Sequence, residues 1–265
     1  MKVRIKQGYL RKISGLILLV ILFLLGNAFA QEPAAQEPAT SESAEQMLSK
    51  GMENASKGMY DQAILDFSKV IEMTPNNTDA YQSRGRIYQD KGMYDQAILD
   101  FSKVIEINPN DANVYNSRGH VYQNKGMYDQ AILDYNKVIE INPNDADVYN
   151  SRGNAYLNKG MYDQAILDYN KAIEINPNFV SAYRCLGFIH SNTGNYDQAI
   201  LDYNKAIEIN PNDGSAYLDR AGTYYYKGEY DKAWQDVREA GPLGFKMNPQ
   251  FPFFEALKKN SGREN

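Results

Sequence analysis

The chain has 265 residues, 43% hydrophobic and 23% charged, enough apolar material for a folded body. Its formal net charge of -5 argues against a nucleic-acid binder, which shows a basic face or a high pI. One cysteine, Cys185, and two histidines, His120 and His190, exclude an internal disulfide framework and a cysteine-rich metal site.

The N-terminus carries Lys2, Arg4, Lys6, Arg11 and Lys12, then an unbroken apolar run from Leu16 to Leu25, then Ala28-Phe29-Ala30. A basic start, a short apolar core and an A-x-A end form a secretory signal peptide, read over residues 1–30. An uncleaved inner-membrane anchor is the alternative, although the run is short for a span of about 20 residues. No cysteine follows the run, which argues against a lipoprotein anchor. Removing the leader takes away five basic and no acidic residues, leaving 23 against 33, or -10. Residues 31–43 (QEPAAQEPATSES) hold no large apolar side chain and read as a disordered Pro/Ala/Glu linker.

From there the chain repeats. KGMYDQAILD starts at Lys57, Lys91, Lys125 and Lys159, TGNYDQAILD at Thr193 and KGEYDKAWQD at Lys227, always 34 residues apart. A fixed period of this size predicts a solenoid. In residues 78–111, Tyr81, Gly85 and Tyr88 share one face of a first helix. Lys91-Gly92 makes a turn, and Ala97, Ile98, Phe101, Val104 and Ile105 mark the apolar face of a second helix. Pro109 ends that helix, and Asn110 and Asp111 are placed to cap the next one.

Tyr81, Gly85, Tyr88, Ala97, Phe101 and Pro109 fall at the spacings of the tetratricopeptide repeat, which the chain resembles, in its exported bacterial form. Five further units follow the pattern. The first is weak where Asn54 replaces Tyr, the fifth has His190 in that aromatic place, and the last has Val237 for the second aromatic and no Pro. The resemblance implies an all-α, right-handed solenoid of six helix-turn-helix repeats (44–77, 78–111, 112–145, 146–179, 180–213, 214–247). Residues 248–265 follow as a C-terminal cap, with Phe251, Phe253, Phe254 and Leu257 sealing the last repeat against Trp234 and Val237. The 21 tyrosines are read mainly as packing.

Arg84, Arg118, Arg152 and Arg220 stand where the family more often has Leu, and Asp66, Asp100, Asp134, Asp168, Asp202 and Asp236 recur in the second helices. The two columns predict a ladder of ion pairs. Leu186 interrupts the Arg column, so one Asp is expected to lack a partner there.

In the family the first helices line a concave groove that binds peptides. The four-then-three spacing that faces away from the packing columns gives Gln82, Arg86 and Gln89, then Asn116, His120 and Gln123, then Asn150, Asn154 and Leu157. It continues with Arg184, Phe188 and Ser191, then Leu218 and Tyr225. Asn and Gln suit a peptide backbone, and Phe188 and Tyr225 are candidate anchors. The Lys, Arg and Asn set that grips a C-terminal carboxylate in part of the family is missing: Asp79, Ser117, Asp147, Ser151, Ser181 and Cys185 occupy those places.

No phosphate loop, zinc spacing or catalytic constellation appears. The reading is therefore a non-enzymatic adaptor, periplasmic or secreted, that binds a protein or peptide. It has no cofactor, metal, nucleic acid or small-molecule substrate, and meets a membrane only through its leader. Self-association by exchange of near-identical repeats stays open. The alternative is a structural spacer in an envelope complex with no groove ligand.

Overall fold

A computed structural model describes residues 43–244, 252–260 and 262. The leader at 1–30 and most of the linker lie outside the described residues. Contacts divide the chain into Met1–Gln46 and Met47–Asn265. In the first part, Ser43 and Gln46 form a reciprocal cap: Gln46 N–H donates to Ser43 Oγ (3.2 Å) and Ser43 N–H to Gln46 Oε1 (2.9 Å).

The helices come in pairs: α1 (Ala44–Ser56) and α2 (Tyr60–Met73), α3 (Thr78–Asp90) and α4 (Tyr94–Ile107), α5 (Ala112–Asn124) and α6 (Tyr128–Ile141). Then come α7 (Ala146–Asn158) and α8 (Tyr162–Ile175), α9 (Val180–Asn192) and α10 (Tyr196–Ile209), α11 (Gly214–Lys227) and α12 (Tyr230–Ala240). A short helix, α13 (Pro252–Asn260), follows. No strand occurs among the described residues.

Local chemistry sets these bounds. Asp111 accepts from Asn113 N–H at 3.0 Å to start α5, while Asn110 spends its own N–H on Asn108 Oδ1. Inside each pair the turn is a six-residue closure. Gly126, at φ 79°, donates to Gln123 C=O, and Met127 N–H reaches Tyr122 C=O at 2.8 Å. Only glycine enters that left-handed conformation without strain.

Packing joins a second helix to the first helix of the next repeat. Ala97, Phe101 and Val104 of α4 bury against Val114 and Val121 of α5. Ala131, Tyr135 and Val138 of α6 do so against Val148 and Ala155 of α7. One pair alone would leave these faces in water; stacking hides them, which is the physical basis of a solenoid. The first helix of a pair approaches the second where the glycines stand. A Cβ at Gly119 would lie 2.8 Å from Tyr135 Cε1. In the last repeat Ala221 replaces the glycine and Val237 the ring, and both are fully buried. The methyl gained on one side is room surrendered on the other.

The ladder is present. Arg118 Nε and Nη2 donate to the two oxygens of Asp134 at 2.8 Å each, and Nη1 donates to Ser102 Oγ of the preceding repeat at 2.8 Å. Its guanidinium also stands 5.8 and 5.7 Å from the ring centroids of Tyr115 and Tyr122. Arg84, Arg152 and Arg220 repeat the bidentate pair with Asp100, Asp168 and Asp236. Each guanidinium thus ties three helices together.

The expected orphan at Leu186 does not exist. Asp202 is held by His190 Nδ1 at 2.6 Å and Gln198 Nε2 at 3.1 Å. His190, expected as packing in an aromatic place, supplies the missing donor. The first repeat uses the same device, with Asn54 Nδ2 donating to Asp66 at 2.7 Å. A buried carboxylate costs too much to leave unpaired, so a donor from the next turn replaces the absent arginine.

At the C-terminal end Leu257 is fully buried against Ala221, Ala233 and Val237, with Trp234 beside them. Phe251 and the side chains of Phe253 and Phe254 lie outside the described residues.

Candidate peptide-binding face

The first helices place their groove residues in columns, one member per repeat. The column at the middle of the helix runs Met52, Arg86, His120, Asn154, Phe188 and Gly222. The core aromatic behind it differs between repeats. Phe67 and Phe101 carry no hydroxyl, and Met52 and Arg86 are exposed, as is Phe188 in the repeat of the buried Tyr203. Tyr135 and Tyr169 are fully buried rings whose hydroxyls emerge into the column. Tyr135 donates to Gln123 Oε1 at 2.9 Å and stands 3.1 Å from His120 Nδ1. A phenol has one proton to give, so His120 must donate from Nδ1. Burial lowers the His120 pKa, which keeps the ring neutral and leaves Nε2 as an acceptor. Tyr169 donates to Asn154 Oδ1 at 2.8 Å, and the Cys185 thiol approaches the same oxygen at 3.7 Å. Burial pushes the Cys185 thiol up, so it stays protonated and inert.

The column one turn earlier runs Gln82, Asn116, Asn150, Arg184 and Leu218. Gln82 reaches Asp111 at 3.4 Å. Asn116 and Asn150 are half-buried, and among the described residues the Oδ1 of each is buried with no hydrogen-bond partner. Arg184 is engaged: it donates to Asp219 Oδ2 at 2.9 Å from Nη2 and lies 3.6 Å from Asp213. Burial pushes the Asp219 carboxyl above its usual range, against the pull of Arg184.

In the third column Gln89 and Gln123 are half-buried. Leu157 packs into the core between α8 and α9, and Ser191 accepts from Thr223 at 3.0 Å. Tyr225 leaves the series. It packs beside Leu257, and its hydroxyl accepts from Asn260 Nδ2 of α13 at 3.3 Å. The terminal helix covers the end of the row, which spacing within α11 could not reveal.

Two features remain open to a ligand. Phe188 is 47% exposed, and a Cβ at Gly222, its counterpart in the next repeat, would meet nothing within 4 Å. At the other end a hollow of about 280 Å³ is lined by Met52, Ala55 and Tyr60 with Ser83, Arg86 and Asp90. Sequence spacing finds Arg86 but misses Met52 and Tyr60, because the first repeat's helix matches the pattern poorly. Among the described residues no cluster could hold a metal ion, and no helix is long and apolar enough to cross a membrane.

Stacked helix pairs with a polar first-helix face define a protein-interaction scaffold of the helical-repeat class. Family profiles described as tetratricopeptide repeat or TPR repeat match residues 47–77, 67–99, 85–126, 112–145, 146–179, 180–213 and 202–235. The chain belongs to the tetratricopeptide-repeat family. Among solved structures, a crystal structure of MamA is 31% identical, covering 60% of this chain and 93% of that one, with a TM-score of 0.58. A tetratricopeptide repeat protein from Parabacteroides merdae is 22% identical over 83% of this chain and 84% of that one, with a TM-score of 0.69. YrrB, described as a TPR protein with an unusual peptide-binding site, is 23% identical over 73% of this chain and 97% of that one, with a TM-score of 0.56. No curated protein matches.

Proposed function

We propose that this protein is an exported, non-enzymatic adaptor that holds an extended peptide or protein segment along its first-helix face. The observation that carries this reading is the pair Asn116 and Asn150. They occupy the same place in successive repeats, and each is half-buried, its amide oxygen closed off and without a partner. That orphan oxygen costs about 1–3 kcal/mol in the free protein. Backbone groups of an extended segment recur at intervals and demand no particular side chain, so a repeated half-buried amide suits them. The exposed Phe188 beside the open space at Gly222 gives such a segment an apolar anchor, and the hollow at Arg86 gives a second. The YrrB description supports the idea that this fold can carry a peptide site.

The test joins binding to stability. Leu218 already occupies the same column in the last repeat. Asn150→Leu therefore removes the orphan without overfilling the site. We expect Tm to rise by a few degrees in the free protein. Saturable binding on an array of extended peptides is expected to fall at least tenfold. Phe188→Ala weakens the same binding and leaves Tm unchanged. An array that shows no saturable binding, or binding indifferent to both variants, overturns the adaptor in favour of a spacer.

Export rests on the basic start, the Leu16–Leu25 run and Ala28-Phe29-Ala30. N-terminal sequencing of the protein recovered from cell fractions tests it. A chain beginning at Gln31 outside the cytoplasm supports cleavage, whereas an intact chain in the membrane fraction supports an anchor.

A further inference from the structure

The fifth repeat breaks the order of the middle column. In the third repeat the Tyr135 hydroxyl donates to Gln123 and meets His120, and in the fourth the Tyr169 hydroxyl donates to Asn154. Tyr203 holds the same ring pose. A Cβ at Gly187 would lie 2.7 Å from its Cε1, against 2.8 Å for Gly119 and Tyr135 and 2.8 Å for Gly153 and Tyr169. Its hydroxyl therefore points into the same column. There Phe188 replaces His120 and Asn154 and offers no acceptor, while Ser191, at the place of Gln123, is engaged by Thr223. Among the described residues the Tyr203 hydroxyl has no hydrogen-bond partner.

That phenol can be reached. Tyr203 is 1% exposed where Tyr135 and Tyr169 are 0%, and its hydroxyl is not closed off as the amide oxygens of Asn116 and Asn150 are. Phe188 turns outward beside it, and Gly222 leaves open space in the next repeat. Arg184 and Asp219 lie close by: burial raises the pKa of the Tyr203 phenol, the charge of Asp219 adds to this, and Arg184 opposes it. These two charges already neutralise each other at 2.9 Å, so the place draws no ion. Both Arg184 bonds fall on Asp219 Oδ2, which leaves Oδ1 of that 38% exposed side chain as an acceptor.

The group that completes this place must be uncharged, must accept from a phenol and must donate to a carboxylate. A side-chain amide does both, with an acceptor oxygen and a donor NH2. The chain itself uses an amide for the phenol one repeat earlier, at Asn154. A main chain resting on the exposed Phe188 stands away from the buried ring of Tyr203, so the amide has to arrive on a long side chain. We propose, on the reading of this protein as an adaptor, that the fifth repeat holds a subsite for a glutamine of the bound segment. Its amide oxygen accepts from the Tyr203 hydroxyl and its NH2 faces Asp219. Methionine has the same reach but leaves the phenol without an acceptor, and glutamate brings a second carboxylate to Asp219.

An array of extended peptides, scanned with Gln, Met and Glu at every position and bound to the full chain, tests this. One position should favour Gln over both. The ratio of the Met to the Gln dissociation constant there should fall about tenfold in Tyr203→Phe, which removes one hydrogen bond. Phe67 and Phe101 hold that place in the first two repeats, so Tyr203→Phe should keep the circular dichroism and the Tm of the parent. Phe188→Asn copies the fourth repeat, supplies the acceptor from within the chain, and should erase the Gln preference. Phe188→Leu supplies none, and should weaken binding while the preference survives. An array without saturable binding sinks the adaptor and the subsite together. Saturable binding whose Met-to-Gln ratio is the same in the parent and in Tyr203→Phe overturns the subsite alone, and leaves water or a backbone carbonyl to satisfy the phenol. So does Glu binding as well as Gln, or a Gln preference that persists in Phe188→Asn.

Discussion

At the scale of the residue, the arginine column shows what a repeated departure from the usual pattern accomplishes. A leucine in that place would only fill space. Arg118 fills it with its stem, stacks between two tyrosines, and spends its donors on Asp134 and on Ser102 of the preceding repeat. Making such a pair gains little, but breaking it leaves a carboxylate that is only 6% exposed without its charge partner. Arg118→Leu should cost about 3–5 kcal/mol and lower Tm by on the order of 10 °C. Thermal denaturation followed by circular dichroism reads this directly, and an unchanged midpoint would show that the ladder carries no weight. His120 gives the acid side of stability. Burial holds its folded pKa below the ordinary value, so the unfolded chain binds the proton more readily. Its contribution is therefore complete above the unfolded pKa of about 6.5 and is lost as pH falls from there through the folded value. His120→Asn, the residue that Tyr169 meets one repeat later, should flatten the fall in Tm between pH 7 and pH 5.

At the scale of the element, the helices and turns were legible in the sequence because each boundary has a local cause. A period of 34, a glycine turn and a capping Asp or Asn need no knowledge of neighbours. The candidate site was legible only as columns. Spacing within a helix shows that His120 and Asn154 face the same way, but not that a tyrosine hydroxyl 15 residues later takes up part of each, since that depends on how closely two helices approach. The partner of Asp202 was missed for a related reason, although a signal existed. The two repeats without arginine, at Lys50 and Leu186, are also the two without Tyr in the aromatic place, where Asn54 and His190 stand. Both changes answer one need, a donor for the same carboxylate. In the terminal helix Leu257 packs beside Val237 and Trp234 as its sequence suggests, whereas the bond from Asn260 to Tyr225 depends on how the helix lies across α11. Leu257→Ala should cost about 2–5 kcal/mol, and the loss should be local. Hydrogen exchange should quicken in α11 and α12 and stay unchanged in α5 to α8. Uniform quickening throughout would mean that the end repeat and the middle share one cooperative unit.

At the scale of the whole molecule, stability follows from contacts between neighbours rather than from one centre. The described cores of the middle repeats each join a second helix to the first helix of the following repeat, and the arginine ladder reaches back a single repeat. Such a chain should tolerate losing a unit from its middle, provided that the new junction restores the same partners. Deleting residues 112–145 joins Asp111 to Ala146. Val148 and Ala155 then meet Phe101 and Val104, and Arg152 finds Ser102 where it had Asn136. Every column survives the splice. The shortened protein should keep its helical signal per residue and unfold cooperatively, with Tm lower by a few degrees because one interface has gone. Deleting 180–213 is the sharper comparison, since it removes the repeat in which His190 substitutes for arginine and sets Arg220 against Asn170, which takes the place of Asn204. That deletion also takes Arg184 from Asp219 and the capping Asp213 from the start of α11. If neighbours alone decide stability, the second deletion should therefore cost more than the first. A collapse of helicity in either would mean that distant repeats support one another in a way that these contacts do not contain.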